Sequence, residues 1–313
     1  MDVTVAGAGT VPVARARFTA MGTDAEVQVV DGPAAVVEEA RARIEHLEAL
    51  WSRFRPTSEV SQLNDRAGEW VAVAPETLVL LDRAVAGARA TDGRFDPTVG
   101  AAVIAHGYDR TFAEVRERGL DHEPEPIVDG AWPMIEIDVA GGRARLPVGT
   151  RIDAGAIGKG LAADLVTAAL AGESAGLLVN LGGDLRAVGR AADDAGWVIT
   201  VDDPLHEGRE LARLAIPEGG VATSSTQRRR WSTPAGEVHH VFDPRTGRPA
   251  ATTVAAVTVV AAEAWWAEVQ ATSLVLEPDL IDDLDAGDGS VEALLVLVDG
   301  STWATSALRE VVA

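Results

Sequence analysis

Apolar and polar positions along this chain fall into short alternating runs interspersed with helical stripes. Residues 16–30, "ARFTAMGTDAEVQVV", alternate as a first strand. Residues 33–54 switch to a helical period, with Val36, Ile44, Leu47 and Leu50 on one stripe. The polar stretch "RPTSEVSQLN" interrupts it. A second helix is predicted over 75–93, with proline at its start and glycine just past its end. Residues 109–133, rich in charge and proline, read as an irregular surface excursion, and 134–149 as a hairpin around Gly141-Gly142. Residues 160–172 give a helix closed at Gly172. Short strands then follow in "AGLLVNLGGDLRAVG", "WVITVDD", "ELARLAIPEGGVATSS", "HHVFDPRTG" and "TTVAAVTVVA". A helix in "EAWWAEVQATSLVLE" and a closing hairpin over 291–306 complete the pattern. Helices and strands mix without a regular βαβ beat, so the expected class is α+β. No repeat or interdomain linker appears. The organisation expected is a flexible lead-in over 1–14 and one composite domain with a cleft over 15–313.

Composition narrows the function. The chain has 313 residues, ample for a core, and 47% of them are hydrophobic, which argues against disorder. No apolar run reaches the roughly 20 residues of a transmembrane helix. The first residues lack a basic segment followed by an apolar block, so a cytoplasmic protein without membrane insertion is expected. With no cysteine, disulfides, zinc-thiolate sites and cysteine nucleophiles are excluded. A net charge of −21 argues against nucleic acid as a partner. It also means that an anionic ligand needs local cations or a metal.

The cations are arginine with one exception. Lys159 in "RIDAGAIGKG" is the only lysine among 27 basic residues, and it lies between two glycines at a predicted helix start. Backbone N–H groups and the helix dipole favour an anion there. The turn is not a Walker A loop, because Asp153 stands where that loop needs glycine and a glycine follows the lysine. It does not fit a dinucleotide fingerprint either. On its own it reads as either an anion site or a helix start whose lysine faces solvent.

Other oxygen-rich turns add context. Asp96 and Thr98 flank a proline, and Gly182-Gly183 end a strand where backbone can approach a ligand closely. His240 and Asp243 sit beside a proline-led turn. Glu268 and Thr272, spaced i and i+4, share a helical face. A carboxylate, a hydroxyl and a free carbonyl make an all-oxygen set that suits Mg²⁺. Each has a structural counterpart: an exposed helix charge, a packed threonine, a tight turn, a core histidine.

Taken in order, "AMGTDAEV", "SRFRPTSEVSQLN", "GRFDPTVG", "IDAGAIGKGLAAD", "LVNLGGDLRAVG", "VATSS", "HHVFDPRTG" and "WAEVQATSLVL" resemble the ApbE family of FAD:protein FMN transferases over roughly residues 17 to 300. The resemblance implies an α+β fold holding FAD and Mg²⁺ in a cleft. It implies cleavage of FAD to AMP and attachment of FMN, through a phosphoester, to a Ser/Thr of a target protein. Met21, Phe54, Arg94, Phe95, Asp96, Asp153, Lys159, Gly182, Gly183, Thr223 and Val241 correspond to flavin-nucleotide contacts. The carbonyls of Ala156 and Ala271 and the side chains of Glu268 and Thr272 correspond to the metal shell. His240 corresponds to the base that activates the incoming hydroxyl. Three positions depart from the commonest family pattern: Glu268 replaces an aspartate, Phe54 a tyrosine and Ser225 a glycine. An FAD diphosphatase and a non-catalytic flavin carrier are the rival readings.

Overall fold

The computed structural model describes residues 11–309 apart from 194 and 235. Most of the expected lead-in lies outside the described residues, and its last two positions already belong to a strand. β1 (Val13–Ala20) and β2 (Thr23–Val30) form a hairpin, followed by α1 (Ala35–Trp51) and α2 (Glu59–Asp65). Next come β3 (Val71–Ala72), α3 (Pro75–Ala90), α4 (Gly100–Ala105) and α5 (Phe112–Arg118). β4 (Glu136–Asp138) and β5 (Arg143–Arg145) join β3 in a small sheet ordered β3-β5-β4. α6 (Gly158–Ala169) leads to β6 (Gly176–Leu181) and β7 (Asp184–Gly189), and then to the separate hairpin β8 (Trp197–Asp202) and β9 (Glu210–Ile216). β10 (Gly219–Ser225) precedes two small ribbons, β11 (Arg230–Thr233) with β12 (Gly236–His239) and β13 (Phe242–Asp243) with β14 (Arg248–Pro249). β15 (Val254–Ala261), α7 (Ala264–Leu276), α8 (Leu280–Asp285), β16 (Val291–Leu297) and β17 (Thr302–Ala304) close the chain.

The frame is one eight-stranded antiparallel sheet ordered β1-β2-β6-β7-β10-β15-β16-β17. The inner strands β6 and β15 are buried on both faces, which explains why they read as continuous apolar runs. Leu177, Val179 and Leu181 of β6 face the helical core with Ile44 of α1 and Val166 of α6. Leu178, one residue out of phase, joins Trp197 and Ile216 of the β8–β9 hairpin on the other face. The expected α+β class is therefore the one observed.

Three local readings change. The first expected strand is two strands, folded at Met21 (φ 52°) and Gly22 (φ 69°). Two consecutive positive φ values mark a type I′ hairpin turn, and methionine gives no sequence signal for it. The polar stretch after α1 contains α2, whose first turn is secured by Ser58 Oγ accepting from Ser61 N at 3.0 Å. The expected irregular excursion contains α5, opened by a Thr111–Glu114 capping box.

Candidate functional site

The sheet positions a cleft of about 530 Å³ between the start of α6, the face of α7, the ends of β6, β7 and β10, and the turns around His240. Local chemistry sets its floor. α6 and α7 lie side by side, and α7 approaches so closely that a Cβ on Gly160 would sit 2.4 Å from the Ala264 carbonyl oxygen. A Cβ on Gly220 would meet Ala264 N at 2.3 Å, so both positions need glycine. Asp164 of α6 locks the pair, its two carboxylate oxygens accepting from Ala264 N at 3.0 Å and Trp265 N at 2.8 Å. It caps a helix other than its own, and burial pushes its carboxyl up to about 6.

This lock brings Lys159 and Glu268, 109 residues apart, into one ion-paired group. The Lys159 ammonium sits between the carboxylates of Glu268 and Asp184. Glu268 Oε2 also accepts from Gly160 N at 2.8 Å, and Asp184 Oδ1 accepts from Thr223 N at 3.1 Å. Burial works against the lysine charge, but Asp184 and Glu268 outweigh it and hold the ammonium protonated above the usual lysine range. Burial pushes the Glu268 carboxyl up, with Asp184 adding to the rise and Lys159 opposing it. Two carboxyl groups thus share one ammonium at the buried cleft floor, and with both ionised the group would carry one net negative charge.

That residual charge, and the donors around it, fit a hard cation. Because Gly160 N–H donates to Glu268, it makes no hydrogen bond to the Ala156 carbonyl four residues back. Among the described residues Thr272 Oγ1 has one contact, at 3.5 Å to Ser224 Oγ. Glu268 at 2% exposure, Thr272 and the Ala156 carbonyl thus form an oxygen set. Ala271 alone of the expected site residues does not line the cleft; it is fully buried in α7, so its expected contribution rests on a backbone carbonyl. Among the described residues no three His, Cys, Asp or Glu side chains gather as a metal cluster, so any metal here relies on neutral oxygens as well.

The remaining expected residues converge on the same cleft. Met21 reaches it from the β1–β2 turn, and Gly182 and Gly183 from the β6–β7 turn, where Gly183 N donates to Asn180 Oδ1 at 2.8 Å. Arg94 is paired with Glu277 and donates to the Thr91 carbonyl at 2.7 Å. Phe95 is 1% exposed and packs beneath Gly87. Asp96 Oδ1 accepts from Thr98 N at 2.7 Å and Thr98 Oγ1 at 2.6 Å, and burial pushes its carboxyl up. Asp153 accepts from Gly155 N at 2.8 Å through Oδ1 and pairs with Arg53 Nε at 2.8 Å through Oδ2. The Arg53 guanidinium lies 4.2 Å from the Phe54 ring centroid and 4.6 Å from that of Tyr108. Thr223 on β10 reaches Thr258 Oγ1 at 2.9 Å, and Val241 follows His240 on the far wall.

The two adjacent histidines differ in kind. His239 uses both ring nitrogens: Nδ1 accepts from Val241 N at 3.3 Å, so Nε2 carries the proton and donates to the Ala250 carbonyl at 3.2 Å. His240 is half-buried against the cleft, and its buried Nδ1 has no hydrogen-bond partner among the described residues. Burial, then the charges of Arg229 and neighbouring groups, push its imidazole down to about 3. At neutral pH it is an unprotonated ring, the form a proton acceptor needs.

Sequence reasoning missed Asp184 and Arg53. Asp184 directly follows the hairpin glycines of "NLGGD", and Arg53 directly precedes Phe54. Both lay inside quoted motifs but carried no spacing that set them apart.

A family model described as the ApbE family matches residues 21–295. A protein of Treponema pallidum named FAD:protein FMN transferase is 30% identical over 256 residues, 76% of this chain and 70% of its own. One of the same name from Vibrio cholerae is 27% identical over 82% of this chain and 79% of its own. Among solved structures, an ApbE protein from Thermotoga maritima superposes with a TM-score of 0.84 at 27% identity, over 96% of this chain and 99% of its own.

Proposed function

The chain belongs to the ApbE family, and on that premise we propose that it is an Mg²⁺-dependent FAD:protein FMN transferase acting on a Ser/Thr hydroxyl of a target protein. The observation that carries the reading is the convergence of distant motifs on one cleft, with Lys159 and two buried carboxylates at its floor and a neutral histidine on its wall. In this reaction the acceptor hydroxyl oxygen attacks the phosphorus on the FMN side of the FAD diphosphate. The bond from that phosphorus to the bridging oxygen breaks, and AMP leaves with the bridging oxygen and its electron pair. The hydroxyl proton passes to His240, whose unprotonated state suits the role.

Mg²⁺, held by Glu268, Thr272 and the carbonyls of Ala156 and Ala271, would supply charge neutralisation at the diphosphate. Lys159 adds a fixed positive charge at the same floor. Phe54, Tyr108 and Val241 offer an apolar wall that suits a flavin ring. The test is incubation with FAD, Mg²⁺ and a protein carrying an exposed Ser/Thr segment. Fluorescence that survives denaturing electrophoresis, together with released AMP, is expected. Free FMN plus AMP would instead indicate a diphosphatase, and tight FAD binding without turnover a carrier.

A further inference from the structure

Six cations line the cleft: Arg53, Arg55, Arg94, Lys159, Arg228 and Arg229. Five are committed to carboxylates. Arg53 pairs with Asp153, Arg55 with Glu48, Arg94 with Glu277, Lys159 with Asp184 and Glu268, and Arg228 with Asp202. Arg229 makes no side-chain hydrogen bond or ion pair among the described residues.

Its backbone is also unusual. Arg229 lies in the turn from β10 to β11 at φ 49°, a left-handed conformation that costs a residue with a Cβ and that glycine would adopt freely. Its two neighbours already face carboxylates, Arg228 with Asp202 at 3.5 Å and Arg230 with Glu237 at 3.1 Å. A strained, half-buried arginine between two paired neighbours and without a counter-ion among the described residues is a group waiting for an anion.

We propose that Arg229 binds the diphosphate of the dinucleotide substrate and neutralises charge on its phosphate oxygens; this specific ligand rests on the transferase reading above. The placement agrees with the electrostatics of the wall. Arg229 is the strongest charge acting on His240 after burial itself, and it also bears on Lys159 across the cleft. A planar guanidinium suits two phosphate oxygens at once, whereas the compact ammonium of Lys159 is already shared by two carboxylates. The two cations thus divide the work. Lys159 organises the floor, and Arg229 meets the ligand from above.

The test compares parent, Arg229→Gln and Arg229→Gly. Loss of a charged hydrogen bond should weaken ADP and FAD binding by about tenfold or more in both variants, while riboflavin, which has no phosphate, binds as in the parent. Arg229→Gly relieves the backbone, so its thermal midpoint should be no lower than the parent's, which separates lost binding from lost folding. Equal ADP affinity in parent and Arg229→Gln overturns the proposal, as does absence of ADP binding by the parent. A defect confined to the KM for the acceptor protein also overturns it, and assigns Arg229 to an acidic group on that protein. A parent that never transfers FMN refutes the transferase reading, while the ADP comparison still decides on Arg229.

Discussion

At the scale of single residues, the chemistry turns on where charge is fixed. The lone lysine of the chain occupies a position where a compact ammonium meets two carboxylates in a buried pocket. A guanidinium is larger and planar and cannot take that place without displacing one of them. Lys159→Arg should lower FMN transfer about tenfold or more, measured as labelled acceptor per unit time; full activity would defeat this account. His240→Asn should cost about a hundredfold or more in transfer rate, with FAD affinity retained. The same variant tests a stability effect. Above pH of about 6.5 the imidazole is neutral in folded and unfolded chains alike. Below that, the unfolded chain takes up a proton that folded His240 refuses until about 3, so stability is lost as pH falls through this window. The thermal midpoint of His240→Asn should therefore fall less than the parent's between neutral and mildly acidic pH. Lys159 and His240 were legible in the sequence because the one is unique in composition and the other sits in a motif. Asp184 and Arg53 were not, since their importance comes from partners 25 and more residues away.

At the scale of elements, the long periodic segments could be read directly and the short ones could not. α1, α3 and α6 carry enough apolar positions to declare their period, and α7 is a long apolar run buried on nearly every side. α2 and α5 span seven residues each and depend on caps at Ser58 and Thr111 rather than on a stripe. The β1–β2 turn was hidden because its left-handed residues are methionine and glycine in place of a standard turn pair. The cross-helix cap at Asp164 was equally invisible, because a cap is normally sought just before the helix it serves. Asp164→Ala leaves two N–H groups of α7 without acceptors and should cost about 1–2 kcal/mol of stability, measured by denaturant unfolding. Since α7 carries Glu268 and Thr272, Mg²⁺-stimulated turnover should fall further than stability alone explains. Gly160→Ala forces a Cβ to within 2.4 Å of a carbonyl oxygen and should damage folding more severely.

At the scale of the molecule, a net charge of −21 surrounds a cleft whose cations are local. Long-range repulsion should slow the arrival of an anionic dinucleotide. Raising salt from about 0.01 M to about 0.1 M shortens the screening length from about 30 Å to about 10 Å, so the association rate of FAD should rise over that range in stopped-flow fluorescence. A falling rate would mean that the cleft cations dominate the far field. The overall class and the presence of a cleft were legible from the mixture of elements and the family motifs. The order of the sheet was not, because it depends on pairings such as β2 with β6 that join residues about 150 positions apart in the chain.

The sheet order also divides the molecule evenly. β1, β2, β6 and β7 precede the β8–β9 hairpin in the chain, and β10, β15, β16 and β17 follow it. The halves meet where β7 pairs with β10 through Gly219, Gly220 and Val221. Lys159 and Asp184 belong to the first half; His240, Glu268 and Thr272 belong to the second. The exposed turn at Gly208 is therefore a natural place to cut the gene in two. Neither fragment would carry a whole site, so co-expressed halves should label an acceptor with flavin only where they meet, making reassembly itself a fluorescent signal.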